Sequence, residues 1–336
     1  MTSRERVKRA IHFQRPDRVP CFLPDGREND LRWLWLPHPP VIQEWTPLPG
    51  TGLDRRIDEW GTVYERPTGS ALDHGEKASV AIPDLARQAE YAFPDLNNPS
   101  HFAAAAEAVR VNNAAANPQY CLAVMPFNSL NEGTHNLIEL DRMFIAYYEE
   151  PELLKTLIAR LAAAQQESIR RLAAAGCDGV MGYDDWGLQD RLMVGLDLIE
   201  EFFMPHYRAN WALAHSLGMD VWLHSCGNIL PLLPKLKAWG LDVIQQDQQE
   251  NMGLEALDQA VGGRLAFWCP VDIQKTMVAG TPDEVRAYVR RLRATLGNHD
   301  GGLVGMAYST PEAVRHTSEN LAAMCDAFRA LPGYHG

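Results

Sequence analysis

The sequence predicts a single (β/α)8 barrel of the α/β class, preceded by an irregular N-terminal extension over about residues 1–100. Three observations predict it. A unit recurs as Gly176-Cys177-Asp178-Gly179-Val180, Gly218-Met219-Asp220-Val221-Trp222 and Gly240-Leu241-Asp242-Val243-Ile244. In each, an amphipathic stretch ends at the glycine, an aspartate follows two residues on, and an apolar run begins. Glycine takes the left-handed conformation that closes a helix, so the unit reads helix, tight turn, buried strand. Its repetition signals a parallel sheet of βα modules. Secondly, the ends of the apolar runs carry a polar set, as active sites at the carboxyl ends of barrel strands do. Thirdly, elements alternate without a low-complexity linker, which favours one closed barrel over two domains. An open doubly wound sheet is the rival, and no G-x-G-x-x-G or P-loop supports a nucleotide-binding version of it.

In chain order, the region from 20 to 100 is rich in Pro and Trp (Trp33, Trp35, Pro37, Pro39, Pro40, Trp45, Pro47, Pro49) and poor in periodic runs. It reads as an extension covering one end of the barrel. Strands follow at 120–125, 178–183, 221–223, 242–244, 265–269 and 302–307. The stretch 151–175 is a helix, with Pro151 in its first turn and Leu153, Leu154, Leu157, Ile158 and Leu161 at helical spacing. Asn228 reads as the N-cap of a helix opening at Ile229-Leu230-Pro231. Thr281-Pro282-Asp283-Glu284 combines a capping box with Pro at the first helical position, and Val285, Tyr288, Val289 and Leu292 form the apolar stripe.

Composition narrows the function. Of 336 residues, 46% are hydrophobic and 22% charged, and the formal net charge of −12 argues against nucleic acid or an anionic membrane as partner. Met1-Thr2-Ser3-Arg4-Glu5-Arg6 is charged at once and has no apolar core of a signal peptide. No apolar stretch approaches the roughly 18 to 20 residues a membrane helix needs. The cysteines at 21, 121, 177, 226, 269 and 325 are scattered, with no C-x-x-C, so a cytoplasmic protein with reduced thiols is expected. A homodimer is the expected assembly.

The most informative segment is His224-Ser225-Cys226-Gly227-Asn228, directly after Val221-Trp222-Leu223. An imidazole and a soft thiolate at a strand end suit zinc. A catalytic zinc takes three protein ligands and keeps one position open. Cys269 is the candidate third ligand, because its strand should lie near that of Cys226; Asp184, Asp185 and Glu132 are alternatives. Other strand ends offer Asp184, Asp185 and Gln189, then Gln245, Gln246, Asp247 and Gln248, then Asp272 and Gln274, and finally Tyr308 and Ser309. Consecutive carboxylates at a strand end point in opposite directions, so one of Asp184 and Asp185 faces the cleft while the other caps a neighbouring segment.

These residues resemble the uroporphyrinogen decarboxylase superfamily, and its cobalamin-linked methyltransferase branch looks closest. The resemblance runs from Thr2-Ser3-Arg4-Glu5-Arg6-Val7 and Pro16-Asp17-Arg18-Val19-Pro20 through Asp58-Glu59-Trp60-Gly61 and Phe93-Pro94-Asp95 to Glu319-Asn320-Leu321-Ala322-Ala323-Met324. Its most specific parts are Asp184-Asp185-Trp186-Gly187-Leu188-Gln189 and the H-x-C segment. It implies a TIM-type barrel. It also implies a zinc site built from His224, Cys226 and a later cysteine, which activates a thiol acceptor for a methyl group carried by a corrinoid protein; related members act in O-demethylation. The later cysteine is missing: the matching positions are Tyr308, Ser309 and Thr310, and Cys325 lies within the final helix. The arginine-rich segment of true decarboxylases is also absent, since Cys21-Phe22-Leu23-Pro24-Asp25-Gly26-Arg27-Glu28 offers Arg27 alone.

The expected function is methyl transfer between a corrinoid, protein-bound or free cobalamin, and a small acceptor such as a thiol. His224 and Cys226 hold zinc, and Asp185, Gln189, His224 and Asp272 form the catalytic set. Asp184, Gln246, Gln274 and Tyr308 contact substrate. The alternative is a metal-independent decarboxylase or lyase, with Asp185 stabilising a cation and His224 as general acid. A non-catalytic partner of a corrinoid protein is the third reading.

Overall fold

The computed structural model describes residues 1–24, 26–36, 44–70, 75–311 and 313–334; Asp25, Pro37, Pro39 and Pro40, named above, lie outside the described residues. The strands are β1 (Cys21–Phe22), β2 (Leu31–Leu34), β3 (Thr46–Leu48), β4 (Leu53–Ile57), β5 (Val63–Pro67), β6 (Glu76–Ser79), β7 (Tyr120–Val124), β8 (Gly179–Tyr183), β9 (Asp220–His224), β10 (Val243–Gln245), β11 (Ala266–Cys269) and β12 (Leu303–Met306). Eight of them form one sheet in the order β1-β12-β11-β10-β9-β8-β7-β2, with every pairing parallel. Helices lie between successive strands from β7 to β12, as the (β/α)8 reading requires, whereas β1 runs to β2 through a loop without a helix.

Strands buried on both faces read as unbroken apolar runs, which is why β7 is buried at all five positions. Side chains alternate across each strand. Leu122, Met181, Trp222, Val243, Ala266, Trp268 and Val304 fill the barrel interior, whereas Cys121, Val180, Val221, Ile244, Phe267, Cys269 and Leu303 pack outward against the helices. The helix Ser3–Ile11 closes one end by joining Val7 and Ile11 to the interior cluster.

The repeated Gly-x-Asp unit has a structural cause. Gly176, Gly218 and Gly240 all take positive φ, at 85°, 81° and 119°. Asp178 accepts the backbone N–H of Cys121 at 2.9 Å, and Asp242 accepts that of Val221 at 2.9 Å. Each carboxylate thus ties its own strand to the start of the preceding one. Asp30 does the same for Cys21, again at 2.9 Å.

The region from 20 to 100 is more ordered than its composition predicts. It supplies two barrel strands, β1 and β2, and a four-stranded antiparallel sheet in the order β3-β4-β5-β6. β1 and β2 are two and four residues long, too short to show periodicity. Side chains bridge them: Asn29 accepts the N–H of Leu23 at 2.7 Å and donates to its carbonyl at 2.9 Å, standing in for a backbone partner. The antiparallel sheet is half-buried to exposed and rests on the helix Asn131–Ile138 through Thr62 and Lys77, which bond Asn136.

The capping box at Thr281 and Glu284 forms as expected. Asn228 accepts the N–H of Leu230 at 3.3 Å, but it caps a turn, and the helix itself begins at Leu233. Pro231 delays the helix, because it lacks the N–H a preceding turn would use. Among the described residues no helix is long and apolar enough to cross a membrane, and all six cysteines are free thiols.

Candidate active site and metal centre

The inward-facing residues at the carboxyl ends of the strands enclose a cavity of about 510 Å³. Phe22 ends β1, Tyr183 ends β8, His224 ends β9, Gln245 ends β10 and Met306 ends β12, while Trp33 and Trp268 lie one residue before the ends of β2 and β11. Trp35, Asp247, Tyr308 and Ser309 come from the loops above them, and Cys226 sits beside His224.

Here three donor atoms converge. Asp185, His224 and Cys226 each place one ligand atom within 4.8 Å of the other two. Cys226 Sγ is 3.3 Å from His224 Nε2, and Asp185 Oδ1 is 3.5 Å from the same nitrogen. Gln245 orients the imidazole. Its amide nitrogen donates to Asp247 Oδ1 at 2.9 Å, which turns its carbonyl oxygen toward His224 Nδ1. Nδ1 then carries the proton, and Nε2 presents its lone pair to Cys226 and Asp185. Metal-binding histidines are held in this way, by a hydrogen bond on the other ring nitrogen. Burial, and then the Asp185 carboxylate, pushes the Cys226 thiol well above its ordinary pKa; a cation at this point would reverse that preference. The sulfur, nitrogen and oxygen donors, with the histidine already in the ligating tautomer, fit zinc.

Asp185 is held in place by the crossing of two loops. Its Oδ1 accepts the backbone N–H of Cys226 at 2.7 Å. Gly187 and Gly227 then meet backbone to backbone: Gly187 N–H donates to the Cys226 carbonyl at 3.2 Å, and Asn228 N–H donates to that of Leu188 at 2.7 Å. A Cβ on Gly187 would stand 2.5 Å from Asn228 N and 2.6 Å from Cys226 O. Gly227 also has φ of +74°, where a side chain is strained. Ser225, pointing the other way, accepts the N–H of Trp186 at 3.1 Å.

Several expected site residues lie elsewhere. Cys269 is fully buried on the outward face of β11, next to the inward Trp268, so strand alternation turns its thiol into the helix layer and away from Cys226. The expectation of Cys269 as third ligand is corrected: Asp185, one of the alternatives, is the residue beside His224 and Cys226. Asp184 is 1% exposed and accepts from Leu130 N, Glu132 N and the Tyr207 hydroxyl at 2.8, 3.0 and 2.5 Å. It caps the helix Asn131–Ile138 and is out of reach of substrate, contrary to the binding role expected of it. Burial raises its carboxyl to about 7, against the pull of these donors.

Asp272 is also a cap. Its carboxylate accepts the N–H groups of Gln274, Lys275 and Thr276 at 3.1, 3.2 and 2.9 Å, so it is committed to starting the helix Thr276–Ala279 and is unavailable for catalysis. Gln189 and Gln274 meet at an exposed rim, where Gln189 donates to Asn251 and Gln274 at 2.9 and 3.3 Å. They do not line the cavity, so neither the catalytic nor the binding expectation has support there. Gln246 is fully buried, and its side-chain nitrogen and oxygen have no protein partner; it does not line the cavity either. Tyr308 does line it, with its ring 6.1 Å from that of His316. Glu132 stands close enough to Asp184 and Asp185 that burial and their charges raise its carboxyl to about 7.

Sequence reasoning missed the aromatic wall, the positioning role of Gln245 and the buried Trp186–Tyr207–Asp184 chain, in which Trp186 Nε1 donates to Tyr207 at 3.2 Å. The Pro- and Trp-rich composition was the one signal of the wall.

Comparison with known proteins places the chain in a family. The family model for uroporphyrinogen decarboxylase matches residues 85–331. A uroporphyrinogen decarboxylase from Alkalilimnicola ehrlichii is 28% identical over 193 residues, 56% of this chain and 50% of that protein. A methylated-thiol–coenzyme M methyltransferase from Methanosarcina mazei is 28% identical over 142 residues, 42% of this chain and 35% of that protein. The chain therefore spans about half the length, or less, of the curated relatives it matches. A solved methyltransferase from Methanosarcina mazei superposes with a TM-score of 0.65 at 14% identity, covering 98% of each chain, which establishes the shared fold.

Proposed function

The chain belongs to the uroporphyrinogen decarboxylase family, and we propose that within it the protein is a methyltransferase moving a methyl group between a corrinoid, protein-bound or free, and a small acceptor such as a thiol. The observation that carries the reading is the convergence of His224 Nε2, Cys226 Sγ and Asp185 Oδ1, two of whose residues, His224 and Cys226, line the aromatic cavity. These three residues would hold zinc. When bound, zinc supplies a Lewis acid that keeps an acceptor thiol in its nucleophilic thiolate form near neutral pH.

The chain's own groups do the positioning. Asp247 fixes Gln245, Gln245 fixes His224, and the Gly187–Gly227 crossing sets Asp185 against Cys226. The rings of Phe22, Trp33, Trp268 and Tyr183 wall the cavity beside His224 and Cys226, which leaves the His224 side chain 13% exposed and that of Asp185 35% exposed. A cavity of about 510 Å³ suits the small acceptor, with the corrinoid as a separate partner. The methyltransferase named among the relatives supports this chemistry. The alternative is a metal-independent decarboxylase or lyase of the same family acting on a different substrate; because no Lys or Arg among the described residues lines the cavity, that substrate would not be a polycarboxylate. With six free thiols, we read the protein as cytoplasmic.

Metal analysis and a methyl-transfer assay test the proposal. Zinc should be present at about one per chain and lost in Cys226→Ala, together with methyl transfer from methylcobalamin to a thiol, followed by the change in the corrinoid spectrum. A protein that binds no zinc, or whose transfer activity survives Cys226→Ala, would sink it.

A further inference from the structure

The cavity has more aromatic surface than a small thiol requires. Phe22, Trp33, Trp35, Tyr183, Trp268 and Tyr308 all face it. Five of these rings form a cluster centred on Trp33: its ring centre lies 6.1 Å from that of Phe22, 5.1 Å from that of Trp268 and 6.0 Å from that of Trp35, and Tyr183 follows at 6.4 Å from Trp35. Their planes are inclined at 29°, 47°, 55° and 21° to one another, so they form a curved wall and leave no slot between parallel plates. A flat ring would touch such a wall at one face, whereas a rounded cluster of methyl groups touches several.

Charge points the same way. The lining contains Asp247 and, among the described residues, no Lys or Arg. Elsewhere in the protein aromatic faces are taken up internally: Arg56 and Arg66 lie 4.9 and 4.2 Å from the centre of the Trp45 ring, and Arg160 lies 4.7 Å from that of Phe93. Among the described residues none of the six cavity rings carries such a cation. Part of their surface is taken up ring against ring, and the remainder faces the cavity. An aromatic face attracts a cation most strongly where water is excluded, and Trp268 is 2% exposed. A zinc ion below would not repel a second cation, because the Cys226 thiolate and the Asp185 carboxylate cancel its formal charge.

We infer that this aromatic cavity is a cage for a methylated onium group, an ammonium or a sulfonium. The inference names the methyl donor of the methyl-transfer site: a C–N or C–S bond of the onium breaks, the corrinoid or the acceptor thiolate takes the methyl, and the neutral amine or sulfide leaves. It rests on that reading for its role in turnover, while binding itself needs neither metal nor reaction. It separates this chain from catalysts of anionic substrates, whose sulfonates or carboxylates would meet no positive partner here.

Calorimetric titration of the full chain, as purified and after removal of metal, tests it. The probes are choline, trimethylsulfonium, 2-mercaptoethanesulfonate and the neutral isostere of choline in which tert-butyl replaces trimethylammonium. Choline should bind about tenfold or more tightly than its isostere, the charge being the sole difference. The sulfonium arm shows which onium is preferred. Trp33→Leu should abolish the preference. Trp35→Leu, at a position 58% exposed, should weaken it without altering the fold. Equal binding of choline and its isostere, preference for the sulfonate, or an unchanged preference in both variants would overturn the cage. Methyl transfer from neutral donors without onium binding leaves the proposed function standing and removes the cage. Onium binding by a protein that takes up no zinc and transfers no methyl group does the reverse.

Discussion

The carboxylate of Asp185 accepts the backbone N–H of Cys226 at 2.7 Å while standing 3.5 Å from His224 Nε2. One side chain therefore both locks the H-x-C loop and completes its donor set. Where the family resemblance implies a later cysteine, an oxygen from the preceding strand end is already in position. Donor type matters: replacing a thiolate by a carboxylate leaves a harder, less electron-rich site.

Metal affinity should follow this geometry. Asp185→Ala and Cys226→Ala should each remove stoichiometric zinc. Gln245→Leu, which frees His224 to rotate, should lower affinity about 10- to 100-fold with the fold intact. Chelator competition measures all three, and a wild-type affinity in Gln245→Leu would rule out its positioning role.

Cys269→Ala should leave zinc content unchanged. Because the thiol is fully buried against the helix layer, the variant should instead lose stability, by about 1 kcal/mol. Loss of zinc with unchanged stability would restore Cys269 as a ligand.

Asp272→Ala removes a cap and not a catalytic group. It should cost about 0.5 to 2 kcal/mol of stability and leave zinc binding and methyl transfer untouched. Denaturant unfolding beside the transfer assay distinguishes the two roles, and an inactive, stable variant would contradict the assignment.

Gly187→Ala should damage the site from a distance. Its Cβ would press on Asn228 N and Cys226 O at 2.5 and 2.6 Å, and backbone cannot yield as a flexible side chain can. A loss of about 1 to 3 kcal/mol is expected, with weaker zinc binding because Asp185 shifts relative to Cys226. Normal zinc affinity in this variant would mean that the crossing does not set the ligand geometry.

The metal-free protein should melt at a lower temperature near pH 8 than near pH 6. Asp220 and Asp242 accept hydrogen bonds from the imidazoles of His12 and His215 and so raise their pKa values. A raised folded pKa gives stability that is full below the unfolded value of about 6.5 and is lost as pH climbs through the folded value. Both histidines are about 40% exposed, so solvent screens the pairs and the effect is modest. Burial raises Asp184 and Glu132 to about 7, and their ionisation in a dry site lowers stability in the same direction. Thermal melts should show this slope, partly flattened in His12→Gln with His215→Gln; a melting temperature that rises with pH would contradict it.

The sequence by itself determined the barrel and pointed to its strand ends as the candidate site. Strands β7 to β12 are buried on both faces, so each appears as an apolar run, and the left-handed Gly176, Gly218 and Gly240 before β8, β9 and β10 leave a residue-type signature. His224 and Cys226 were legible for the same reason, since they terminate such a run. β1 and β2 were not legible, because two and four residues hold no period and their pairing depends on Asn29 and Asp30 reaching across space. Nor could sequence separate Asp184 from Asp185, or place Cys269. Alternation along a strand says that neighbours face opposite ways; which way is inward is decided only when the barrel closes. Tertiary structure alone put Asp185 beside Cys226, because the contact is made by two loops that cross at Gly187 and Gly227, 40 positions apart in the chain.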